Sequence, residues 1–161
     1  MKSATVSYED TEFRIANFDP SYVNEIIEIE EEVFQDPWPG SLLRRIGKRN
    51  PKGFKVAISE NRILGYAVGR VETKNGTSLG HLMDLAVDME YRRRGVGSAL
   101  LKEIGDYFEK KEAEGAWLEM RKGHQKARKF YQQNGYEKFD VKEGYYSDGT
   151  NAVIMSKELD I

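Results

Sequence analysis

Short apolar stretches typical of strands alternate along the chain with apolar residues at the spacing of a helix. Together they predict a mixed α/β protein. Short apolar stretches bounded by turn residues predict seven strands, at residues 12–18, 54–59, 63–73, 78–87, 116–120, 136–141 and 152–157. Apolar residues at helical spacing predict four helices, at residues 20–34, 41–49, 96–108 and 127–133. Asp19-Pro20 is typical of a helix start, and only Glu30 interrupts the apolar stripe of this first helix.

The order of these elements constrains the sheet. Strands 54–59, 63–73 and 78–87 are joined by short turns, which favours antiparallel hairpins. The helix that connects strand 78–87 to the next strand requires a parallel crossover. We therefore expect one α/β (α+β) domain over residues 12–161, with a mixed sheet of about seven strands and helices on both faces. Residues 1–11 are polar and aperiodic, which predicts a flexible N-terminal segment.

Composition and charge exclude several classes of protein. The chain has 161 residues, which suggests one domain, and 0 Cys, which excludes disulfide scaffolds, zinc ribbons and cysteine nucleophiles. Its net charge of −2 argues against a nucleic-acid binder. No apolar run approaches the roughly 20 residues of a membrane span, and the first residues lack the apolar segment of a signal peptide. A cytoplasmic protein is therefore expected.

The segment Arg92-Arg93-Arg94-Gly95-Val96-Gly97-Ser98 follows a predicted strand and opens a predicted helix. Glycines there let the backbone approach a ligand closely, and the free N–H groups of a helix start attract an anion. Three arginines add positive charge, so the segment predicts a pyrophosphate site. Neither common phosphate motif is present, because GxxxxGK[ST] is absent and the run from Gly95 lacks the third glycine of GxGxxG. A solvated basic turn is the alternative.

Several further segments of the chain, taken together with this loop, match the sequence pattern of a known family. They are Leu85-Ala86-Val87-Asp88-Met89-Glu90-Tyr91, Trp117-Leu118-Glu119-Met120-Arg121, Ala127-Arg128-Lys129-Phe130-Tyr131, Asn134-Gly135-Tyr136 and Gly144-Tyr145-Tyr146-Ser147-Asp148-Gly149. The first of these segments, followed by Arg92-x-x-Gly95-x-Gly97, resembles the acetyl-CoA signature of the GNAT N-acetyltransferases, and the next three resemble the second half of that family. The last segment is similar to the N-terminal (Nα) acetyltransferases, both the bacterial ribosomal-protein-alanine enzymes and their archaeal relatives. The resemblance covers residues 12–158.

The resemblance implies a single GNAT-type domain whose sheet is splayed, with acetyl-CoA wedged where strands 78–87 and 116–120 part. The backbone of Leu85, Ala86 and Val87 is then expected to pair with the pantetheine arm. His124 stands where the family usually has Asn, which contacts that arm. The remaining implied cofactor contacts are Arg92, Arg93, Arg94, Gly95, Val96, Gly97, Ser98, Ala127 and Tyr131.

Acetyl transfer from a thioester to an amine needs a base for the amine and an acid for the leaving thiolate. The resemblance implies that Glu119 is the base, acting through water, and that Tyr131 is the acid. Two structural alternatives stay open, namely Glu119 paired with Arg121 or a lysine, and Tyr131 packed in the core. An α-amine has an ordinary pKa of roughly 7.7–8.0, against about 10.4 for lysine, so a carboxylate base suits an α-amine better.

His81 lies on predicted strand 78–87, and by strand parity it shares a face with Met83, Leu85 and Val87 unless a bulge intervenes. Archaeal relatives carry a histidine here beside the glutamate, which implies a second base, a water holder or a substrate contact. A half-buried histidine with only a structural role is the alternative. His81 and Glu119 give two metal ligands without a third, so no metal is predicted.

Aromatic residues from two distant loops are candidates for the acceptor site. Phe34, Trp38, Tyr145 and Tyr146 are expected to wall a slot for the first residues of a peptide. The Asp36-Pro37-Trp38-Pro39 segment resembles the Pro-Trp-Ser loop of the bacterial enzymes, and Asp36 aligns loosely with a glutamate that tunes acceptor choice in archaeal relatives. Ordinary loop aromatics packed on the sheet are the alternative.

The function implied is acetyl transfer from acetyl-CoA to the N-terminal α-amine of proteins or peptides, with coenzyme A as product. A polyamine, another small amine or a protein lysine is the alternative acceptor, and an acyl-CoA sensor without turnover is the third hypothesis. Protein or peptide N-termini are the partners expected, with the ribosome as a candidate docking site. No nucleic acid or membrane is expected, and a monomer or homodimer is predicted.

Overall fold

The computed structural model of this chain describes residues 4–8 and 11–159. Within them the chain forms eight strands and four α-helices. The strands are β1 (Ala4–Tyr8), β2 (Thr11–Asn17), β3 (Phe54–Ser59), β4 (Arg62–Lys74), β5 (Thr77–Val87), β6 (Gly115–Arg121), β7 (Glu137–Lys142) and β8 (Ala152–Glu158). The helices are α1 (Val23–Val33), α2 (Gly40–Arg49), α3 (Val96–Lys110) and α4 (Gln125–Gln133). No helix among the described residues is long and apolar enough to cross a membrane.

All eight strands join one mixed sheet in the order β1-β2-β3-β4-β5-β6-β8-β7. Strands β5 and β6 run parallel, as the crossover through α3 predicts, and the other neighbours are antiparallel. The seven predicted strands all occur, and β1 is the eighth.

Strand β1 corrects the expectation of a flexible segment at residues 1–11. Ala4–Tyr8 pairs antiparallel with β2, from Ala4 opposite Ile15 to Tyr8 opposite Thr11. An edge strand needs only the backbone groups of one neighbour, so it can form without a long apolar run. Residues 1–3, 9 and 10 lie outside the described residues.

The sheet separates two apolar cores, which confirms helices on both faces. Helix α3 covers one face, where Leu100, Ile104 and Phe108 are fully buried against strands β4, β5 and β6. Helices α1 and α2 cover the other face, where Ile26 and Leu43 are buried against β3 and β4. Both faces of the central strands are therefore removed from water, which explains their nearly continuous apolar sequence.

The ends of α1 and α2 follow from local chemistry. The Asp19 carboxylate accepts a hydrogen bond from the Ser21 N–H at 3.0 Å, but it caps a single 3-10 turn before α1 begins. Helix α2 begins at Gly40 after Pro39, one residue before the predicted start at residue 41. A side chain at residue 40 would lie 2.7 Å from Ile27, so glycine lets the two helices approach.

A cluster of polar side chains lies inside the core beneath α1. Glu30 is 1% exposed and Asp84 is 9% exposed. The Tyr66 hydroxyl donates to Oε1 of Glu30, and the Asp84 carboxyl lies beside the same side chain. Burial, followed by the contact with Glu30, raises the pKa of Asp84 well above its ordinary value. Asp84 therefore favours its protonated form at neutral pH.

The raised pKa of Asp84 predicts a pH-dependent stability. Above about pH 4 an unfolded Asp is ionised, whereas folded Asp84 stays protonated until the pH reaches its raised pKa, so folding takes up one proton in that window. The free energy of unfolding should fall by about 1.4 kcal/mol per pH unit as the pH rises through the window. Asp84→Asn keeps the volume of the side chain and has no such proton to lose, so it should remove this slope.

Urea unfolding of the wild type and Asp84→Asn, from about pH 5 upward, measures the difference. Asp106→Asn is the control, because this carboxylate is 44% exposed and pairs with Lys102 on the surface. Stability curves of Asp84→Asn and wild type that stay parallel across this range would contradict the raised pKa of Asp84.

Candidate active site

The central feature of the sheet is a gap between its two parallel strands. Strand β5 pairs with β6 only from Leu79 opposite Gly115 to His81 opposite Trp117. Beyond these residues the two strands part, although β5 stays paired with β4 and β6 with β8. One backbone edge of each strand therefore faces the gap, and such an edge can hydrogen-bond an extended ligand.

A β-bulge at Met83 decides which way the residues of β5 point. Asp84 lies opposite Val68, whereas Leu82 lies opposite Gly69, so Met83 has no partner on β4. Leu82, Leu85 and Val87 all pack on the α3 side, and Met83 packs on the α1 side. His81 precedes Leu82 and therefore faces the α1 side with Met83. The parity prediction is wrong for Leu85 and Val87, because the extra residue reverses the alternation between His81 and these positions.

His81 and Glu119 form a close pair on the walls of the gap. Nε2 of His81 lies 2.8 Å from Oε1 of Glu119, and both side chains are 13% exposed. The His81 ring also stacks on Trp117, with ring centroids 3.8 Å apart. Nδ1 of His81 is buried without a hydrogen-bond partner in the described residues, and Oε1 of Glu72 is 3.9 Å away. Glu119 is therefore held in one orientation by a group that can exchange a proton with it.

Arg121 joins the two loops that were predicted to form the acceptor site. Its guanidinium contacts Asp36 of the α1–α2 loop at 3.1 Å and Asp148 of the β7–β8 loop at 2.8 Å. The Ser147 hydroxyl also donates to Asp36, at 3.3 Å. Glu119 is hydrogen-bonded to His81, and Arg121 pairs with Asp36 and Asp148, so the alternative that pairs Glu119 with Arg121 is wrong.

Two tyrosines of the β7–β8 loop lie beside Glu119. Tyr145 and Tyr146 contact each other edge to face, with ring centroids 5.0 Å apart, and Arg121 lies over the Tyr146 ring at 4.3 Å. Burial and the nearby Glu119 carboxylate raise the pKa of Tyr146 to about 12, and they also raise that of Tyr145. Both phenols therefore stay protonated at neutral pH and can donate hydrogen bonds beside the carboxylate.

The predicted acceptor residues do not all occupy equivalent places. Asp36, Tyr145 and Tyr146 are brought together around Arg121 and Glu119. Phe34 and Trp38 are half-buried and pack on the core beneath α1 and α2. The tertiary structure thus brings the two distant loops together through Asp36 and Arg121, whereas Phe34 and Trp38 pack on the core.

Tyr131 lies on α4, on the α3 side of the sheet. Its ring contacts Phe130 and Tyr136 edge to face, with centroids 5.1 and 6.0 Å away. Burial raises the pKa of Tyr131 above its ordinary value, and the nearby Asp84 and Tyr146 add to the shift. The hydroxyl is therefore within electrostatic range of residues on both sides of the gap, and it keeps its proton at neutral pH.

The glycine loop leads into the start of α3 and leaves backbone N–H groups there free of helical partners. Gly95 has a φ of 79°, which favours glycine, and Arg93 adopts a φ of 62°. The Ala99 N–H donates to the Gly95 carbonyl, so the preceding N–H groups of the helix lack helical partners. A side chain at residue 97 would lie 3.2 Å from the Phe130 ring, so glycine lets α4 approach α3.

The residues around the gap fit a long ligand with a phosphate at one end. The open edge at Leu85, Ala86 and Val87 leads to the start of α3, where Arg92, Arg93 and Arg94 add positive charge. His124 is the residue before α4, and its Nδ1 accepts a hydrogen bond from the Ala127 N–H at 3.3 Å. This ring therefore caps a helix, and the predicted contact of His124 and Ala127 with a cofactor stays a prediction.

Comparison with known families gives this geometry an assignment. The model of the acetyltransferase (GNAT) family matches residues 23–136. The chain belongs to this family. It is therefore an acetyltransferase, and acetyl-CoA is its acetyl donor. The open strand edge and the glycine loop are where this long, phosphate-bearing donor fits.

Archaeal relatives match nearly the whole acetyltransferase chain. An uncharacterized N-acetyltransferase of Methanocaldococcus jannaschii is 35% identical, over 89% of this chain and 90% of its own. An N-alpha-acetyltransferase of Saccharolobus solfataricus is 30% identical, over 92% and 94%. The crystal structure of Ard1 from Thermoplasma volcanium is 25% identical with a TM-score of 0.86, over 92% of this chain and 99% of that one.

Sequence reasoning missed several residues of the acetyltransferase site. Arg121 was considered only as a partner of Glu119 and not as a residue of the acceptor site, although it shares a strand face with Glu119 at a spacing of two, which was the available signal. Glu30 was seen only as an interruption of an apolar stripe. Glu72 and Asp84 gave no signal, because strand register alone brings them to His81 and Glu30.

Proposed function

We propose that this acetyltransferase acts on the N-terminal α-amine of proteins or peptides. The observation that carries the proposal is the bridge that Arg121 makes between Asp36 and Asp148, beside the hydrogen-bonded His81–Glu119 pair. Two loops joined next to the proposed base suit a free chain end, which can enter between them. The N-alpha-acetyltransferase of Saccharolobus solfataricus, 30% identical over 92% of this chain, supports the same acceptor.

Glu119 is the proposed general base. An amine must be neutral to attack, and an α-amine of ordinary pKa near 8 loses its proton more readily than a lysine. The Glu119 carboxylate takes this proton, directly or through a water, while His81 holds it in position and can receive the proton from it. Tyr145 and Tyr146 exclude bulk water beside the carboxylate, which strengthens its interaction with the cationic amine.

Tyr131 is the proposed general acid. Bound acetyl-CoA supplies an acetyl thioester whose sulfur leaves as a thiolate, with an ordinary pKa of about 8.5 for a thiol. A C–N bond forms to the amine as the C–S bond breaks, and Tyr131 gives its proton to the sulfur. Its neutral phenol holds that proton beforehand, because burial raises its pKa. The base thus acts on the attacking amine and the acid acts on the departing sulfur, from opposite sides of the gap.

An acceptor panel tests this function. It should contain one short peptide with a free α-amine, the same peptide with a blocked α-amine and an internal lysine, and a polyamine. Mass spectrometry locates the acetyl group on each product. We expect label on the free α-amine, with the rate depending on the first residue.

Two outcomes would overturn this function in different ways. Label only on the lysine peptide or the polyamine would retain the acetyltransferase and change its acceptor. Calorimetric binding of acetyl-CoA without turnover on any amine would favour the sensor hypothesis.

A further inference from the structure

Glu30 makes a contact that the chemistry of acetyl transfer does not require. It lies in α1, three residues before the helix ends, and is almost completely buried. Its Oε2 atom accepts a hydrogen bond of 2.9 Å from the backbone N–H of Trp38, eight residues further on. The contact links the end of α1 to the loop between α1 and α2, residues 34–39, which is called the acceptor loop below.

Trp38 is the position at which this loop can be tied by its backbone. It lies between Pro37 and Pro39, and proline has no N–H group. The Trp38 amide is therefore the only backbone donor of these three residues, and Glu30 accepts from it. Two residues earlier, Asp36 accepts hydrogen bonds from Arg121 of β6 and Ser147 of the β7–β8 loop.

The other partners of Glu30 lie on the central strands. The Tyr66 hydroxyl on β4 donates to Oε1, and Asp84 on β5 lies beside the Glu30 side chain. The Tyr66 hydroxyl and the Trp38 amide are neutral donors, so the buried Glu30 side chain is stabilised in the core by these hydrogen bonds. One side chain thus connects the acceptor loop with strands β4 and β5, of which β5 borders the gap.

We propose that Glu30 is a positioning residue for the acceptor loop, which it holds through the Trp38 amide so that Asp36 meets Arg121. The peptide acceptor for this loop rests on the proposed function. Glu30 itself touches neither the reacting amine nor the acetyl donor. Its loss should therefore weaken acceptor binding and leave the chemical step and donor binding nearly intact.

Glu30→Gln tests this role with little change in volume. A glutamine has one acceptor oxygen in place of two, so either Trp38 or Tyr66 loses its partner. We expect the KM for the peptide to rise about tenfold, as befits one hydrogen bond to a charged group. The kcat at saturating peptide and the Kd for acetyl-CoA should each change by less than about threefold.

Ile26→Val is the matched control, because Ile26 is a fully buried α1 residue of the same core. It loosens this core without touching Trp38, so its peptide KM should stay near that of the wild type. A peptide KM of Glu30→Gln equal to that of Ile26→Val, or an equal loss of acetyl-CoA affinity, would reduce Glu30 to a core residue. Glu30→Met serves if Glu30→Gln does not fold, since it also lacks an acceptor for Trp38.

Amide hydrogen exchange gives a readout that needs no acceptor at all. The Trp38 amide should exchange more slowly than that of Gln35 in the same loop of the wild type, and this protection should disappear in Glu30→Gln. Fast exchange at Trp38 in the wild type would overturn the contact and the positioning role with it. Failure of every α-amine in the acceptor panel would overturn the proposed function and leave this protection unchanged.

Discussion

Glu119→Gln is expected to lower kcat for peptide acetylation by about 10²-fold or more, since general bases contribute effects of this size. The amide cannot take the proton of the attacking amine. It keeps the volume of the carboxylate and can still hydrogen-bond His81, whose Nε2 lies 2.8 Å from Oε1 of Glu119 in the wild type. The site should therefore keep its shape. Acetyl-CoA affinity should be unchanged, as calorimetry can verify beside steady-state kinetics.

His81→Ala is the comparison that separates the two members of the pair. It removes the group that orients Glu119 and leaves the carboxylate, so we expect a partial loss of kcat, well short of that in Glu119→Gln. A Glu119→Gln enzyme at the wild-type rate would remove Glu119 from the mechanism. A larger loss in His81→Ala than in Glu119→Gln would make His81 the base.

Tyr131→Phe is expected to reduce kcat by about 10²-fold, with acetyl-CoA affinity again retained. Phenylalanine keeps the ring contacts with Phe130 and Tyr136 and removes only the hydroxyl that would protonate the thiolate. Stopped-flow or steady-state assays of coenzyme A release measure the effect directly.

Tyr136→Phe is the matched control for Tyr131→Phe. Tyr136 is 2% exposed, touches the Tyr131 ring, and has a pKa raised by burial alone. Removing its hydroxyl can cost stability, but turnover of the folded protein should stay near that of the wild type. Equal kcat values for the two variants would show that neither hydroxyl serves as the acid.

Much of the fold is encoded in local patterns. The spacing of apolar residues predicted the seven main strands and the four helices, because each element buries an apolar face that its own residues supply. The basic glycine loop was recognisable for the same reason. A positive φ at Gly95 and a close approach at Gly97 are demands of a single short segment.

The candidate site was only partly predictable. Glu119 and Tyr131 were identified through resemblance. His81 was found on the right strand, but strand parity placed Leu85 and Val87 on its face, and the bulge at Met83 puts them on the opposite face. The bulge at Met83 is set by the register between β4 and β5, which no feature of β5 alone determines. Arg121 was overlooked because its partners Asp36 and Asp148 lie 85 and 27 residues away along the chain.

The sequence by itself determined the element types, the two apolar faces and the basic glycine loop of this acetyltransferase. Only the tertiary structure decided that β1 joins the sheet, that His81 meets Glu119, and that Glu30 lies beside Asp84 and accepts a hydrogen bond from Trp38. Local patterns follow from the conformational preferences of neighbouring residues. Contacts between distant segments depend on strand register and on the packing of the whole core, where a buried charge is stable only if its partners arrive from other elements.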